Sequence, residues 1–252
     1  GDSMSVIIWT RAIADWPGDR SLIHNCKENR GNHEVIHLPC IQLVELAVDC
    51  SQLPQGAYAI FTSPKAVAIA GKNPDLRTYL HNRPAFCFGS ATAKALTEIG
   101  AQALCEEAAN SAADLAGVLC KKNGPLSLVY FGPEEPATPI DSILAQGGHT
   151  VAKVILYRTE SALRKSNGTV PSASEIAHWQ NTWTGAVTFA SPSAVKSFAQ
   201  VLLQPPSRLS DALTAIALGE TTAAACRCQF SRVITCSEQS IQNLVATAFS
   251  FP

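Results

Sequence analysis

The sequence carries almost no excess of charge: 19 lysines and arginines stand against 20 aspartates and glutamates. No overall field would recruit nucleic acid or an anionic membrane, so any anionic ligand has to be held by local groups. No apolar run approaches the roughly 20 residues that a membrane helix needs, and no basic segment followed by an apolar stretch opens the chain. The expectation is a soluble, cytoplasmic protein with neither nucleic acid nor membrane as a partner. Met4 is expected to be the native first residue, with Gly1-Asp-Ser3 a remnant of expression. The glycine spacings of a dinucleotide fingerprint and of a P-loop are both missing, which removes a nucleotide site. No Ser-His-Asp order, nucleophile elbow or paired-carboxylate motif stands out either.

Cysteine is plentiful but unpaired in pattern. The nine cysteines are an odd number, set mostly in apolar contexts such as Phe86-Cys-Phe88, and read as reduced core thiols. In Cys226-Arg-Cys228 one residue separates the thiols, which fits neither common zinc spacing nor the redox motif with two intervening residues. The six histidines form no two-histidine helical pattern. No metal is expected. Asn167-Gly-Thr169 matches a glycosylation sequon but reads as a turn.

What the sequence does have is a duplication. Phe61-Thr-Ser-Pro-Lys-Ala-Val67 returns as Phe189-Ala-Ser-Pro-Ser-Ala-Val195, an offset of 128 residues (61 to 189). Gly89-Ser-Ala-Thr-Ala93 returns as Gly219-Glu-Thr-Thr-Ala223, an offset of 130 (89 to 219). Two copies of one strand-helix-strand-helix unit therefore run in step. A chain of 252 residues with 46% hydrophobic content can bury two ordinary cores.

Ten short β-rich runs alternate with helix-like stretches, beginning at Val6, Val35, Tyr58, Ala85, Ala103, Leu126, Val151, Ala186, Thr214 and Val233. This pattern predicts an α/β fold with parallel sheets. The continuous apolarity of Ser5-Val-Ile-Ile-Trp9 and Leu126-Ser-Leu-Val-Tyr-Phe131 fits strands covered on both faces. The strands near residues 6 and 35 resemble those near 128 and 151, so one lobe is expected to be discontinuous. It would comprise residues 4–38 plus 172–252, with 42–156 inserted and 39–41 and 157–171 as a hinge. Two extended crossings favour rigid-body motion of the lobes.

The two Ser-Pro motifs place a serine, Ser63 or Ser191, at a helix N-cap and proline at the first helical position. In parallel sheets such loops leave the carboxyl ends of strands, the usual ligand side. Capping alone also explains these serines, and both readings can hold. Gly89 with Ser90 and Thr92, and Gly219 with Thr221 and Thr222, offer free backbone N–H groups, a positive dipole and hydroxyls suited to carboxylate or phosphate. Thr62 and Ser193 belong to the same loops. Tyr157 lies at the second crossing; an ordinary phenol, with pKa near ~10, stays protonated and can donate a proton to a departing oxygen. A tyrosine that merely packs is the competing reading. Arg158 and Arg11 are candidate carboxylate forks, or else solvated charges.

Taken together, Thr10-Arg11, Phe61-Thr-Ser63 with Ala66-Val67, Gly89 to Ala93, Val154 to Thr159, Phe189 to Val195 and Ile216 to Thr222 resemble the uroporphyrinogen-III synthase family. The resemblance covers nearly the full length and rests on order and spacing. It implies two flavodoxin-like lobes joined by a two-stranded hinge and clasping hydroxymethylbilane. It also implies a cofactor-free lyase of heme biosynthesis that inverts the last ring through a spiro intermediate. Tyr157 would assist hydroxyl departure; Thr92, Thr221 and Thr222 would match the hydroxyl positions around the substrate, and Ser63 and Ser191 the loops that approach it. A monomer is expected, with transient contact with the upstream deaminase. Two departures mark this chain. Phe131-Gly-Pro-Glu-Glu-Pro136 lacks the arginine common after that strand, and Lys65 replaces a commoner asparagine, as a compensating cation or, more simply, as a solvated lysine. A noncatalytic two-lobed receptor for a small polycarboxylate is the alternative, and a duplicated interaction module the third reading.

Overall fold

The computed structural model describes residues 4–122 and 124–251; the segment Gly1–Ser3, expected to precede the native start, lies outside them. Eleven strands occur among these residues: β1 (Met4–Trp9), β2 (Glu34–His37), β3 (Ile41–Glu45), β4 (Tyr58–Phe61), β5 (Pro84–Cys87), β6 (Gln102–Cys105), β7 (Ser127–Pro133), β8 (Thr150–Ser161), β9 (Trp183–Phe189), β10 (Leu213–Ala217) and β11 (Arg232–Thr235). They form two sheets, with orders β2-β1-β9-β10-β11 and β3-β8-β7-β4-β5-β6. Every pair from β2 through β11 in the first, and from β8 through β6 in the second, is parallel. No helix among the described residues is long and apolar enough to cross a membrane.

The first sheet has the flavodoxin-like order, in which the chain starts inside the sheet and reverses direction once. The second sheet repeats that order with its parts permuted. β7 and β8 stand where β1 and β2 stand, and β4, β5 and β6 where β9, β10 and β11 stand. The chain divides into residues 1–43 with 159–252, the first unit, and 44–158, the second. Residues 159–166, expected in a linker, are tied to the first unit instead. The Ala162 amide donates to Cys40 O at 3.1 Å, the Arg164 amide to Pro39 O at 2.9 Å, and the Ser166 hydroxyl meets His37 Nδ1 at 2.7 Å. The expected turn at Asn167-Gly-Thr169 is present, closed by Lys165 N to Thr169 O at 2.8 Å.

Each sheet buries both faces, as unbroken apolar strands require. In β1, Val6 and Ile8 pack with Val187, Phe189 and Phe198, while the alternate residues Ile7 and Trp9 pack with Ile216, Leu244 and Val245 on the other side. The second unit sets Leu128 and Tyr130 against Leu115, Leu119, Ile140 and Leu144. The rings of Phe61 and Phe131 stack at 5.0 Å between β4 and β7. With both faces covered, the strand ends and the loops after them are left to carry function.

Candidate functional site

In the second unit, β4 leads through Thr62 and Ser63 into the helix Pro64–Gly71. Ser63 is extended, with φ −152°, and its Oγ accepts from the Ala66 amide at 3.2 Å. The acceptor lone pair is used in the cap, so the hydroxyl proton remains for another partner. Thr62 turns inward. It hydrogen-bonds the phenol of buried Tyr130, whose pKa burial pushes up, Thr62 holds down and Asp141 raises further. That partnership explains the glycine of Phe131-Gly-Pro: a Cβ at Gly132 would stand 2.5 Å from the Tyr130 hydroxyl. Thr62 is therefore a structural partner of Tyr130 in this unit rather than a free ligand group.

β5 leads through Gly89 into the helix Ser90–Glu98. Gly89 sits at φ 79°, a left-handed conformation open chiefly to glycine, and no side chain caps the helix. Its first amides are thus available to a ligand. Ser90 is exposed, whereas Thr92 is buried at 3%.

β8 carries Tyr157, which is 7% exposed. A bulge between Gly132 and Pro133 brings Pro133 opposite Tyr157, and the Glu134 amide donates to Tyr157 O at 2.9 Å. The Lys65 ammonium stands 5.8 Å from the centroid of the Tyr157 ring. From sequence alone Lys65 reads as a solvated lysine. The usable signal is its place as second residue of the helix, because helical side chains lean toward the N-terminus and so toward the strand exits. Arg158 is half-buried beside Tyr157 on the same strand.

The first unit repeats these devices. Ser191 caps the helix Pro192–Leu202 with φ −153°, accepting from the Ala194 amide at 3.3 Å. Ser193 contributes its carbonyl, which accepts from Ser161 Oγ at 2.8 Å. The helix Glu220–Arg227 differs from its counterpart. Glu220 occupies its first turn and pairs with Arg227 at 2.5 Å. The hydrogen bond to Arg227, and its charge, hold the Glu220 carboxyl below the usual range. An anion already stands at that helix end, which makes it the weakest anion site of the four. Thr221 is exposed and Thr222 buried at 5%; Thr222 stands at the position of Thr92, three residues past the glycine, and is buried like it. Ser90 and Thr221 are open to solvent, whereas Thr92 and Thr222 are buried.

Arg11 does not serve as an open carboxylate fork. Its Nε donates to Asp19 at 2.8 Å and a terminal nitrogen lies 3.5 Å from Asp15. Asp19, 4% exposed, also accepts from the Trp9 indole at 2.9 Å. A carboxylate buried this deeply needs a paired cation, so Arg11 is consumed in neutralising it.

His37 follows the same logic of full satisfaction. Its ring stacks on Trp16 at 4.2 Å, Nδ1 meets Ser166 Oγ, and Nε2 meets Arg11 O at 2.9 Å. Burial lowers its pKa, opposed by the Arg11 carbonyl and the charge of Asp19. The unfolded chain then binds the extra proton more readily, so this contribution to stability is complete above about pH 6.5, begins to be lost below it, and is gone once pH has fallen through the lower folded value. We expect urea midpoints to drop between about pH 7.5 and about pH 5.5, and His37→Gln to drop less over the same interval. Equal drops in both proteins would remove His37 as the cause.

Among the described residues no cluster of three or more histidine, cysteine or acidic groups could hold a metal ion. All nine cysteines are free. Burial pushes the Cys226 thiol up to about 12, the wrong direction for a metal ligand. A cavity of about 440 Å³, lined by Glu28, Arg30, His33 and Phe251, lies beside the loop entering β2, at the opposite ends of the strands from these loops.

The family described as HEM4, uroporphyrinogen-III synthase HemD, matches residues 23–246. A crystal structure of uroporphyrinogen-III synthetase from Helicobacter pylori 26695 is similar over 98% of this chain and 99% of that one, at 19% identity and TM-score 0.61. A mutant uroporphyrinogen III synthase from the extremely thermophilic bacterium Thermus thermophilus aligns over 96% of each chain, at 16% identity and TM-score 0.48. At such identities the first likeness speaks to the fold. No match was found among curated proteins.

Proposed function

The chain belongs to the uroporphyrinogen-III synthase family, and from that premise we propose how its own residues serve the reaction. It is a cyclising lyase that converts hydroxymethylbilane to uroporphyrinogen III, inverting ring D and releasing water. The substrate is a polycarboxylate, and the observation that carries the assignment of residues is the repeated helix N-terminus at strand exits. The helices from Pro64, Ser90 and Pro192 begin with no acidic residue in the first turn. Each such end contributes about 0.3–1 kcal/mol toward a carboxylate, so the two ends of the second unit, from Pro64 and Ser90, hold one more strongly than either alone. Ser63, Ser90, Ser191 and Thr221 add hydroxyl donors, and Arg158 a cation, while Ser193 acts through its loop.

Tyr157 is the proton donor of this proposal. The terminal C–O bond breaks with its electron pair on oxygen, the phenol proton passes to that oxygen, and water departs. The pyrrole is left as an azafulvenium cation facing a phenolate. Ring D then attacks through its substituted carbon, and the enzyme's remaining task is to keep the chain folded until the spiro intermediate opens and recloses. A monomer in the cytoplasm, receiving substrate by transient contact with the deaminase that makes it, completes the proposal; nine free cysteines accord with a reducing compartment.

The test is product analysis. Purified deaminase and porphobilinogen, incubated with this protein, should give type III porphyrin after oxidation. The type I product of the protein-free control, unchanged on adding the protein, would refute the activity.

A further inference from the structure

Lys65 is the second residue of a helix whose start is fixed by the Ser63 cap and by Pro64 at the first position. Its stem leans back over the strand exits, and its ammonium stands 5.8 Å from the Tyr157 ring centroid. A cation within about 6 Å of an aromatic face is attracted by the ring. The ring it meets belongs to a buried residue of a paired strand. Tyr157 is 7% exposed, its strand pairs with Pro133, and its carbonyl accepts from the Glu134 amide. A ring with a cation over its face has a favoured tilt and a positive charge beside its π-system.

That charge gains importance only as the proton leaves. The neutral phenol interacts weakly with an ammonium, whereas the phenolate remaining after water departs is a full anion on a residue only 7% exposed. A group that stabilises the second state more than the first raises turnover rather than affinity. We propose that Lys65 is a positioning residue for Tyr157, orienting its ring and stabilising the phenolate formed when the substrate hydroxyl leaves; this rests on the reading of Tyr157 as the proton donor.

Steady-state formation of type III product by four variants tests it: Lys65→Met, Lys65→Arg, Tyr157→Phe and Lys65→Met with Tyr157→Phe. Lys65→Met should lower kcat by about 3- to 30-fold with KM nearly unchanged. Lys65→Arg should recover most of that loss, because a guanidinium also stacks on a ring. In the Tyr157→Phe background Lys65→Met should cost nothing further, since two residues that act as one step are not additive. Should Met disturb the helix start, Lys65→Gln repeats the comparison. A rise in KM with kcat intact would make Lys65 a substrate-carboxylate contact and overturn the proposal, as would equal losses in both backgrounds. Wild-type turnover by Tyr157→Phe would instead sink the donor reading.

Discussion

Tyr157→Phe is expected to reduce turnover to type III product by about 100-fold or more while leaving the fold in place. General acid catalysis by a placed side chain is worth about 10²–10⁴ in rate, or roughly 3–5 kcal/mol of barrier, and the substitution removes only the oxygen that supplies it. What holds the residue in position survives. The backbone bond from Glu134 to Tyr157 O does not involve the phenol, and the ring remains beside Lys65. Tyr130→Phe is the matched control. Its hydroxyl is buried against Thr62, so its loss should appear as about 1 kcal/mol of stability in urea titrations, with turnover retained. A Tyr157→Phe enzyme with unchanged turnover would remove the phenol from the mechanism; one with a lowered urea midpoint and normal turnover would make Tyr157 a packing residue.

The contrast between these two tyrosines marks what the sequence could and could not disclose. Parallel strands and the duplication with a discontinuous lobe were legible because each is written in a local pattern: unbroken apolar runs such as Val6 to Trp9, and Ser-Pro starts repeated at 63 and 191. Helix caps were legible for the same reason, since a cap joins residues three apart, as Ser63 and Ala66 do. Side-chain partners across long separations leave no such trace. Arg11 reads as an available cation until it and the Trp9 indole are seen converging on one oxygen of Asp19. Thr92 and Thr222 read as ligand hydroxyls because the first helical turn was identified without its rotation about the axis, which points Ser90 and Thr221 outward instead. The division of the chain was blurred likewise, because residues 159–166 have no periodic signal and are bound to their unit by backbone bonds to Pro39 and Cys40. Lys65 lay in plain view, but its meaning depends on a ring 92 positions away, from 65 to 157.

Gly185→Ala should abolish folding of the first unit. β9 lies between β1 and β10, and Gly185 pairs with Val6 on one side and Leu213 on the other. It holds φ 120°, a conformation L side chains rarely adopt, and a Cβ there would overlap the Val6 carbonyl oxygen and stand 3.0 Å from the Val6 nitrogen. Both obstacles are backbone, so no flexible side chain can yield. Relief requires β1 and β9 to separate, which breaks ladder bonds at the centre of the sheet and opens the packing of Val6, Ile8, Val187 and Phe189. Backbone strain of this kind costs about 1–3 kcal/mol alone, and the disrupted core adds several more, against a total stability of about 5–15 kcal/mol. Gly168→Ala isolates the first term: φ is 87° in an exposed turn with nothing within 4 Å of the new Cβ, so about 1 kcal/mol should be lost and the fold kept. Near-ultraviolet circular dichroism reports on the buried indoles of Trp9 and Trp183, which both lie in this sheet. Gly168→Ala should retain that signal and Gly185→Ala should lose it. A Gly185→Ala protein with native dichroism and an unshifted urea midpoint would mean that β1 and β9 are not held at this spacing.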